Sequence, residues 1–167
     1  PSKLDMSRIY SINETYIKTI DEKELFNFLK DYISKYKKPI EQSKEAILFK
    51  SINFLKNKAK TLEDIWNNSQ YIISDKIQIG LEDKKLIDNL SKEIIKDFIA
   101  EYKKIALLSR ETLEPVIKSL IDKHKTNFKG VGQPLRIALV GSRFGPGIYD
   151  VILSLEKSEV IKRLSII

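Results

Sequence analysis

The amino-acid sequence predicts an all-α protein, and three observations support that fold class. Apolar residues recur at helical spacing along nearly the whole chain of 167 residues. Proline and glycine separate these stretches where helices should stop. Apolar residues make up 42% of the chain, which is enough for a core in one large domain or two small ones.

Two apolar stripes and a capping signal predict three helices in the first half of the chain. Pro39 stops the first stripe, and the second ends before Thr61. Asp64 follows Thr61 at the spacing of a capping box, with Asp in place of the usual Glu. The stripes are Leu25, Phe28, Leu29, Tyr32, Ile33 and Tyr36, and then Ile47, Leu48, Ile52, Leu55 and Ala59.

The stretch ISDKIQIGLED, residues 73–83, interrupts the helical period and contains Gly80. We interpret it as the joint between two helical subdomains, residues 1–76 and 77–167. A short extended segment is the alternative for this stretch.

Two stripes predict the longest helix of the chain and the helix that follows it. Pro115 falls in the first turns of the later helix, where proline is tolerated. The segment from Gly147 to Ile167 predicts two short helices, broken near residues 154–158. The stripes are Leu86, Leu90, Ile94, Phe98 and Tyr102, and then Leu113, Ile117, Leu120 and Ile121.

A second break is predicted in KTNFKGVGQP, residues 125–134. Gly130, Gly132 and Pro134 all fall in this stretch, and each disfavours a helix interior.

The rarer residue types narrow the range of functions. The chain has no cysteine, which excludes disulfides, Cys-ligated zinc and thiol catalysis and fits a reducing, cytoplasmic location. No apolar run approaches the ~20 residues of a membrane span. The single histidine, His124, lies in a charged stretch and is predicted to be solvated. Four aromatic residues are expected in the core rather than as stacking platforms: Trp66, Tyr71, Phe98 and Tyr102.

Charge points to a polyanionic partner. The chain has 30 basic and 23 acidic residues, a net charge of +7. Nucleic acid is the first candidate partner, and a solvated basic surface without a partner is the alternative. The few arginines carry more weight than the many lysines, because a guanidinium makes planar bidentate contacts and stacks on bases.

A glycine-rich loop, residues 141–147, raises the question of a phosphate site. A P-loop requires a Lys-Ser or Lys-Thr pair after its last glycine, and this loop has none. The dinucleotide fingerprint also fails, because Asp150 stands where its third glycine would be. Nucleotide binding of either type is therefore excluded here.

The same loop is suited to an unpaired RNA base. Pro146 is predicted to begin a helix, whose first N–H groups attract anions and carbonyl oxygens. Gly145 has no side chain, so a flat ring can approach the backbone. Phe144 offers a stacking face and Arg143 a charge, which are the requirements for holding an unstacked base. The alternative is a plain loop before a helix, with Phe144 buried.

Three segments resemble bacterial-type glutamyl-tRNA synthetases, which are class I aminoacyl-tRNA synthetases. QPLRIALVGSRFGPGIYDVI followed by LEKSEVIKRL is similar to the C-terminal end of that family, with Val140 in place of Thr and Glu156 in place of Gly. LKNKAKTLEDIWNNSQYII resembles the family's middle motif, and KLDMSRIYSINETYI its approach to the tRNA-binding half. The resemblance covers the whole chain.

The resemblance implies the C-terminal anticodon-binding region of a glutamate–tRNA ligase, folded as an α-helical cage of two subdomains. The first would carry a stem-contact tail. The ATP- and Mg-dependent catalytic domain would precede Pro1, because the chain has neither the HIGH-type nor the KMSKS-type motif. A fragment of this kind should not aminoacylate by itself. The expected partner is tRNA-Glu, with tRNA-Gln as a further candidate, and the expected state is a monomer away from membranes.

The resemblance also implies the RNA-binding residues. Lys58 stands where the family often has an arginine that faces the anticodon, and Arg136 matches the arginine of its P-L-R motif. A lysine at position 58 favours relaxed discrimination between tRNA-Glu and tRNA-Gln, because an ammonium is a point charge. The predicted residues are Lys56, Lys58, Lys60, Lys118, Arg136, Arg143, Phe144, Gly145, Pro146 and Ile148.

Other interpretations of these residues stay open. The lysines at 56–60 suit a solvated helix end, and Arg136 suits a structural ion pair with Asp150 or Glu156. Lys118 suits an ordinary surface position. For the whole chain, the alternatives are a free-standing helical RNA-binding module and a helical protein–protein scaffold.

Overall fold

The computed structural model describes residues 14–167, and every regular element within them is helical. The predicted all-α fold is therefore confirmed. The chain divides into two compact units, Pro1–Asp75 and Lys76–Ile167, and the boundary lies inside the stretch 73–83. Of the N-terminal motif KLDMSRIYSINETYI, residues 3–13 lie outside the described residues. No helix among residues 14–167 has the length and hydrophobicity needed to cross a bilayer.

The first unit is built around two long helices and a shorter capped one. Asp21 starts the second helix, because its carboxylate accepts the N–H groups of Lys23 and Glu24. The predicted capping box of Thr61 and Asp64 is confirmed, since each side chain accepts the other's backbone N–H. The helices are α1 Glu14–Thr19, α2 Glu22–Tyr36, α3 Gln42–Leu55, a 3-10 turn Lys56–Lys58, α4 Leu62–Asn68 and α5 Gln70–Ile73.

The second unit places one helix, α9, at its centre. This helix packs against α7, α8, α10 and α11, and its residues Leu135, Ile137 and Leu139 are fully buried. The two short helices predicted at the C-terminus are confirmed as α10 and α11. The helices of the unit are α6 Leu81–Lys84, α7 Asn89–Lys104, α8 Arg110–Lys123, α9 Phe128–Val140, α10 Ile148–Ser154 and α11 Lys157–Ser165.

Two predicted helix boundaries of the second unit are wrong. The long helix α7 begins at Asn89, because Asp88 accepts the N–H of Ser91, so Leu86 precedes the helix. The break predicted at 125–134 is instead the start of α9. Asn127 caps this helix by accepting the N–H of Gly130, and burial of its apolar face outweighs the low helix propensity of glycine and proline.

The core prediction for the aromatic residues is confirmed for Tyr71, Phe98 and Tyr102, which are at most 1% exposed. It is wrong for Trp66, which is only half-buried, because the side chain of Ile65 occupies the inward face of α4.

The prediction for His124 is also wrong. Its side chain is only 9% exposed, and its Nε2 atom lies 2.8 Å from a carboxylate oxygen of Asp97 on the neighbouring α7. A carboxylate on an adjacent helix gives the ring a polar partner away from bulk water.

Candidate nucleic-acid interface

The glycine-rich loop begins at a glycine whose backbone conformation and surroundings disfavour any side chain. Gly141 ends α9 in the left-handed conformation, with φ of 90°, and its N–H donates to the carbonyl of Ile137 at 2.8 Å. A Cβ atom at this position would lie 2.6 Å from the carbonyl oxygen of Gln78. The loop therefore starts against the main chain of the segment that precedes α6.

The helix after the loop begins later than predicted. It starts at Ile148, with Gly147 as the N-cap, so the prediction that Pro146 begins it is wrong. The reason is that the carbonyl of Pro146 accepts a hydrogen bond from Arg136, whereas the first helical acceptor is the carbonyl of Gly147, bonded to Val151. The helix has seven residues, which is too short to provide the anion site predicted at its N-terminus.

Two predicted contact residues of the loop are buried. The side chain of Ile148 is 1% exposed, and Pro146 is also buried, so neither presents a side chain to a ligand. Gly145 has φ of 141°, a conformation that glycine tolerates and other residues rarely adopt. Contacts from Pro146 and Ile148 would therefore come from the main chain, and the role of these three positions in RNA binding stays a prediction.

Arg136 joins helix α9 to the loop. Its Nε donates to the carbonyl of Pro146 at 3.1 Å, and its NH1 donates to the carbonyl of Arg143 at 3.2 Å. The expectation that Arg136 reaches the loop is thus confirmed, and the alternative pairing with Asp150 or Glu156 is wrong. Burial lowers the pKa of the guanidinium from its ordinary value.

The charge of Arg136 has no matching carboxylate. No Asp or Glu among residues 14–167 forms an ion pair with it. Main-chain carbonyls supply partial negative charge but do not neutralise a cation. A half-buried guanidinium of this kind favours a ligand that brings negative charge or a carbonyl edge.

Arg143 and Phe144 lie at the outer part of the loop. The Nε of Arg143 lies 2.5 Å from a carboxylate oxygen of Asp83, which holds the side chain in place and offsets its charge. The guanidinium carbon lies 5.6 Å from the ring centre of Phe144. Phe144 is 74% exposed, so the alternative in which it is buried is wrong.

These side chains border a cavity of about 580 Å³, which we call the loop groove. The groove combines two aromatic rings, two guanidinium groups, an amide and an ammonium, which are the groups that stack on an unpaired base and bind its edge and phosphate. Its lining residues are Leu86, Phe128, Lys129, Gly132, Gln133, Arg136, Arg143 and Phe144.

A series of neighbouring side chains supports one wall of the loop groove. The ring of Phe128, which is 47% exposed, lies 5.9 Å from the ring of Tyr149. The guanidinium carbon of Arg110 lies 4.8 Å from the ring centre of the same Tyr149. The Nε of Arg110 lies 2.8 Å from a carboxylate oxygen of Glu114. Phe128 is therefore held as a flat surface facing the groove.

Several lining residues escape prediction from the sequence, because a break is predicted where α9 begins. Phe128, Gly132 and Arg136 are spaced four residues apart, which places them on one helical face. Lys129 and Gln133 lie on the adjacent strip of the same face. The signal that identifies them is Asn127 as an N-cap ahead of this pattern.

The predicted lysines do not line the loop groove. Lys118 is exposed on α8 and is absent from the groove lining. All three lysines at 56–60 belong to the first unit: Lys56 and Lys58 lie in the 3-10 turn that follows α3, and Lys60 lies two residues beyond it. The backbone N–H of Lys60 donates to Asp64 at 2.8 Å, which extends the capping of α4. Their role in RNA binding stays a prediction.

Known proteins resemble this chain over nearly its whole length. A family model described as the anticodon binding domain matches residues 15–167. The glutamate–tRNA ligase of Pelagibacter ubique is 57% identical over 164 residues, covering 98% of this chain and 35% of that protein. Glutamate–tRNA ligase 2 of Zymomonas mobilis is 29% identical over 167 residues, covering 98% of this chain and 34% of that protein.

Solved structures show the same fold. A crystal structure of a glutamate tRNA ligase from Elizabethkingia meningosepticum, in complex with its amino acid, has a TM-score of 0.74 at 19% identity. It covers 92% of this chain and 30% of that chain. The chain spans about a third of the length of the curated relatives it matches. Its sequence matches a family model over nearly its whole length, and so the chain belongs to the anticodon binding domain family.

Proposed function

We propose that this chain binds the anticodon region of a tRNA, and that the loop groove receives an unpaired anticodon base. The observation that carries the proposal is the position of Arg136, whose desolvated cation faces a groove bordered by the exposed ring of Phe144. A nucleotide suits this arrangement, because its base can stack on Phe144 while the edge of the base or the phosphate binds Arg136. Gln133 adds amide donors and an acceptor for a base edge.

We further propose that the chain is the C-terminal part of a glutamate–tRNA ligase in the cytoplasm, working as a monomer. Its relatives are named as such ligases, and the chain corresponds to about a third of their length. ATP, magnesium and the transfer of glutamate would belong to the remaining part. This chain would contribute tRNA affinity and anticodon recognition. The lysines at 56, 58 and 60 would contact the same tRNA from the first unit.

A binding experiment tests the proposal directly. Labelled tRNA-Glu transcript is titrated with the chain, and the same transcript with a changed anticodon serves as the matched control. We expect weaker binding of the control, and for both an affinity that falls steeply with salt because phosphate contacts release counterions. Equal affinity for the two transcripts at every salt concentration would refute anticodon recognition.

A second candidate partner is tRNA-Gln, which Lys58 motivates. Lysine provides a point charge where a planar guanidinium would make bidentate contacts, so discrimination of the last anticodon base should be relaxed. The comparison is between tRNA-Glu and tRNA-Gln transcripts, with the chain and with its Lys58→Arg variant. We expect a smaller preference for tRNA-Glu in the unaltered chain. A strong preference that Lys58→Arg leaves unchanged would contradict the idea.

A further inference from the structure

The first unit contains a groove of its own, with a volume of about 620 Å³. It lies where α2 ends and the chain turns towards α3. Ile73 lines it and the unit ends at Asp75, so the chain leaves the unit beside it. We call it the Trp66 groove, and its lining residues are Lys35, Tyr36, Lys37, Lys38, Pro39, Trp66, Gln70 and Ile73.

Flat and apolar surfaces form part of this groove. Trp66 is half-buried, so its position in α4 is fixed while part of its ring stays accessible. Tyr36 is 59% exposed, and its ring lies 5.3 Å from that of Tyr32. Pro39 and Ile73 complete the apolar lining. These surfaces suit a planar ring as ligand, because stacking needs an accessible flat face that does not move.

The charged residues of the lining are all basic. The ammonium of Lys37 is bonded to Glu63 at 2.9 Å and lies 5.8 Å from the ring centre of Trp66. Lys35 has a longer contact with Asp31, at 3.4 Å. Lys38 is exposed, and no ion pair with another of residues 14–167 holds it. The groove therefore offers the ammonium of Lys38 with its full charge.

A polar edge accompanies the aromatic face. The amide nitrogen of Gln70 donates to the carbonyl of Trp66 at 3.0 Å, which holds the side chain against α4. The amide oxygen is then the acceptor that the side chain offers, and an amino group of a base is a suitable donor for it.

From this combination we infer that the Trp66 groove holds a second unpaired nucleotide of the RNA, with its ring against Trp66 and its phosphate at Lys38. The inference rests on the proposed function. The groove belongs to the first unit and the loop groove to the second, so the two grooves are lined by different residues.

Trp66 provides the readout, because it is the only tryptophan of the chain. Its emission is recorded while the chain is titrated with tRNA-Glu transcript, and binding is followed in parallel by the anisotropy of end-labelled transcript. We expect Trp66 emission to be quenched along the same curve as the anisotropy. Free N-acetyltryptophanamide at the same RNA concentrations corrects for absorbance by the transcript.

A matched pair of variants tests the phosphate contact. Lys38→Glu reverses a charge in the groove, whereas Lys50→Glu makes the same change on the exposed face of α3, outside the groove. We expect Lys38→Glu to weaken RNA binding about five-fold more than Lys50→Glu and to reduce the salt slope by about one. Both lysines are exposed, so circular dichroism should show both variants folded.

A second pair tests stacking. Trp66→Phe keeps a flat ring and Trp66→Leu keeps only apolar volume, so we expect roughly ten-fold weaker binding for the leucine variant alone.

If RNA binds while Trp66 emission stays constant and the two lysine variants behave alike, the inference is wrong and the proposed function stands; a groove for a protein segment would give this result. If tRNA does not bind the chain at all, both proposals are refuted.

Discussion

The Nε atom of Arg136 lies 3.1 Å from the carbonyl oxygen of Pro146, ten residues further along the chain. This hydrogen bond fixes where the helix after the loop begins and keeps the guanidinium at the edge of the loop groove. One side chain therefore sets the shape of the loop and supplies the charge of the proposed binding site.

Removal of the exposed ring at position 144 should weaken RNA binding without affecting the fold. Phe144 is 74% exposed, so Phe144→Ala should change the free energy of unfolding by less than about 0.5 kcal/mol. Loss of stacking should lower affinity for tRNA-Glu roughly ten-fold, measured by anisotropy. The matched control is Leu107→Ala, which removes a side chain that is 76% exposed and lies outside the groove. Equal affinities of the two variants would contradict a stacking role for Phe144.

The start of the loop should tolerate no side chain. Gly141→Ala combines φ of 90° with a Cβ atom 2.6 Å from the Gln78 carbonyl oxygen, so we expect a loss of more than about 2 kcal/mol in urea unfolding. Gly147→Ala is the control, because its φ is −59° and the nearest atom to its Cβ, on Asp150, is 3.6 Å away. Its cost should stay below about 1 kcal/mol. Similar losses for both variants would show that the left-handed geometry at 141 is unimportant.

The buried hydroxyl of Tyr102 should cost stability. Its oxygen has no hydrogen-bond partner among the described residues, and the residue is 0% exposed. Tyr102→Phe should therefore raise the free energy of unfolding at pH 8 by about 1 kcal/mol. A decrease instead would indicate that the hydroxyl is bonded in solution.

The same residue should make the chain sensitive to alkali. Burial raises the pKa of Tyr102 to about 12 in the folded state, from 10.0. Between these values the unfolded chain loses the phenolic proton first, so stability falls as pH rises. At pH 11 the advantage of Tyr102→Phe should exceed its value at pH 8 by about 1 kcal/mol. Unfolding curves at the two pH values measure this, and because lysines titrate in both proteins, only the difference between them counts.

Asp97 should contribute stability that is lost in acid. A hydrogen bond from Lys123, and a further one from His124, hold the pKa of its carboxyl below the ordinary value. The ionised form is thus favoured in the folded state, and its contribution disappears as pH falls through the lowered pKa. Asp97→Asn should cost up to about 1 kcal/mol at pH 6.5 and clearly less near pH 2. A cost that is the same at both pH values would exclude an electrostatic origin.

Much of the fold could be predicted from the sequence, since apolar spacing and caps are local signals. Thr61 with Asp64 is an example, because both partners lie within one turn. The errors at Pro134 and Pro146 have a common origin. The propensities of glycine and proline describe the isolated backbone. In the folded chain, burial of one face of α9 and the hydrogen bond from Arg136 determine where the two helices begin.

The candidate site could be predicted only in part, for the same reason. Arg136 and Phe144 lie in a recognisable motif, and the structure brings both to one groove. Phe128 and Gln133 were missed because their shared face exists only once α9 is known to begin at Phe128. The accessible part of Trp66 could not be predicted either. Helical spacing indicates which apolar stripe contains the residue, but it does not indicate how much of the side chain the neighbouring helices cover.

Arg136 grips the loop through main-chain oxygens alone, those of Pro146 and Arg143, and this has a consequence for engineering. Carbonyl groups are present whatever the side chain, so the tether does not depend on the identities of residues 142 and 144. The hydroxyl of Ser142 accepts the backbone N–H of Phe144 at 3.1 Å, so position 142 should be kept. Position 144 can be varied while the hydrogen bonds of Arg136 hold the loop, which makes it the place to alter what the groove accepts.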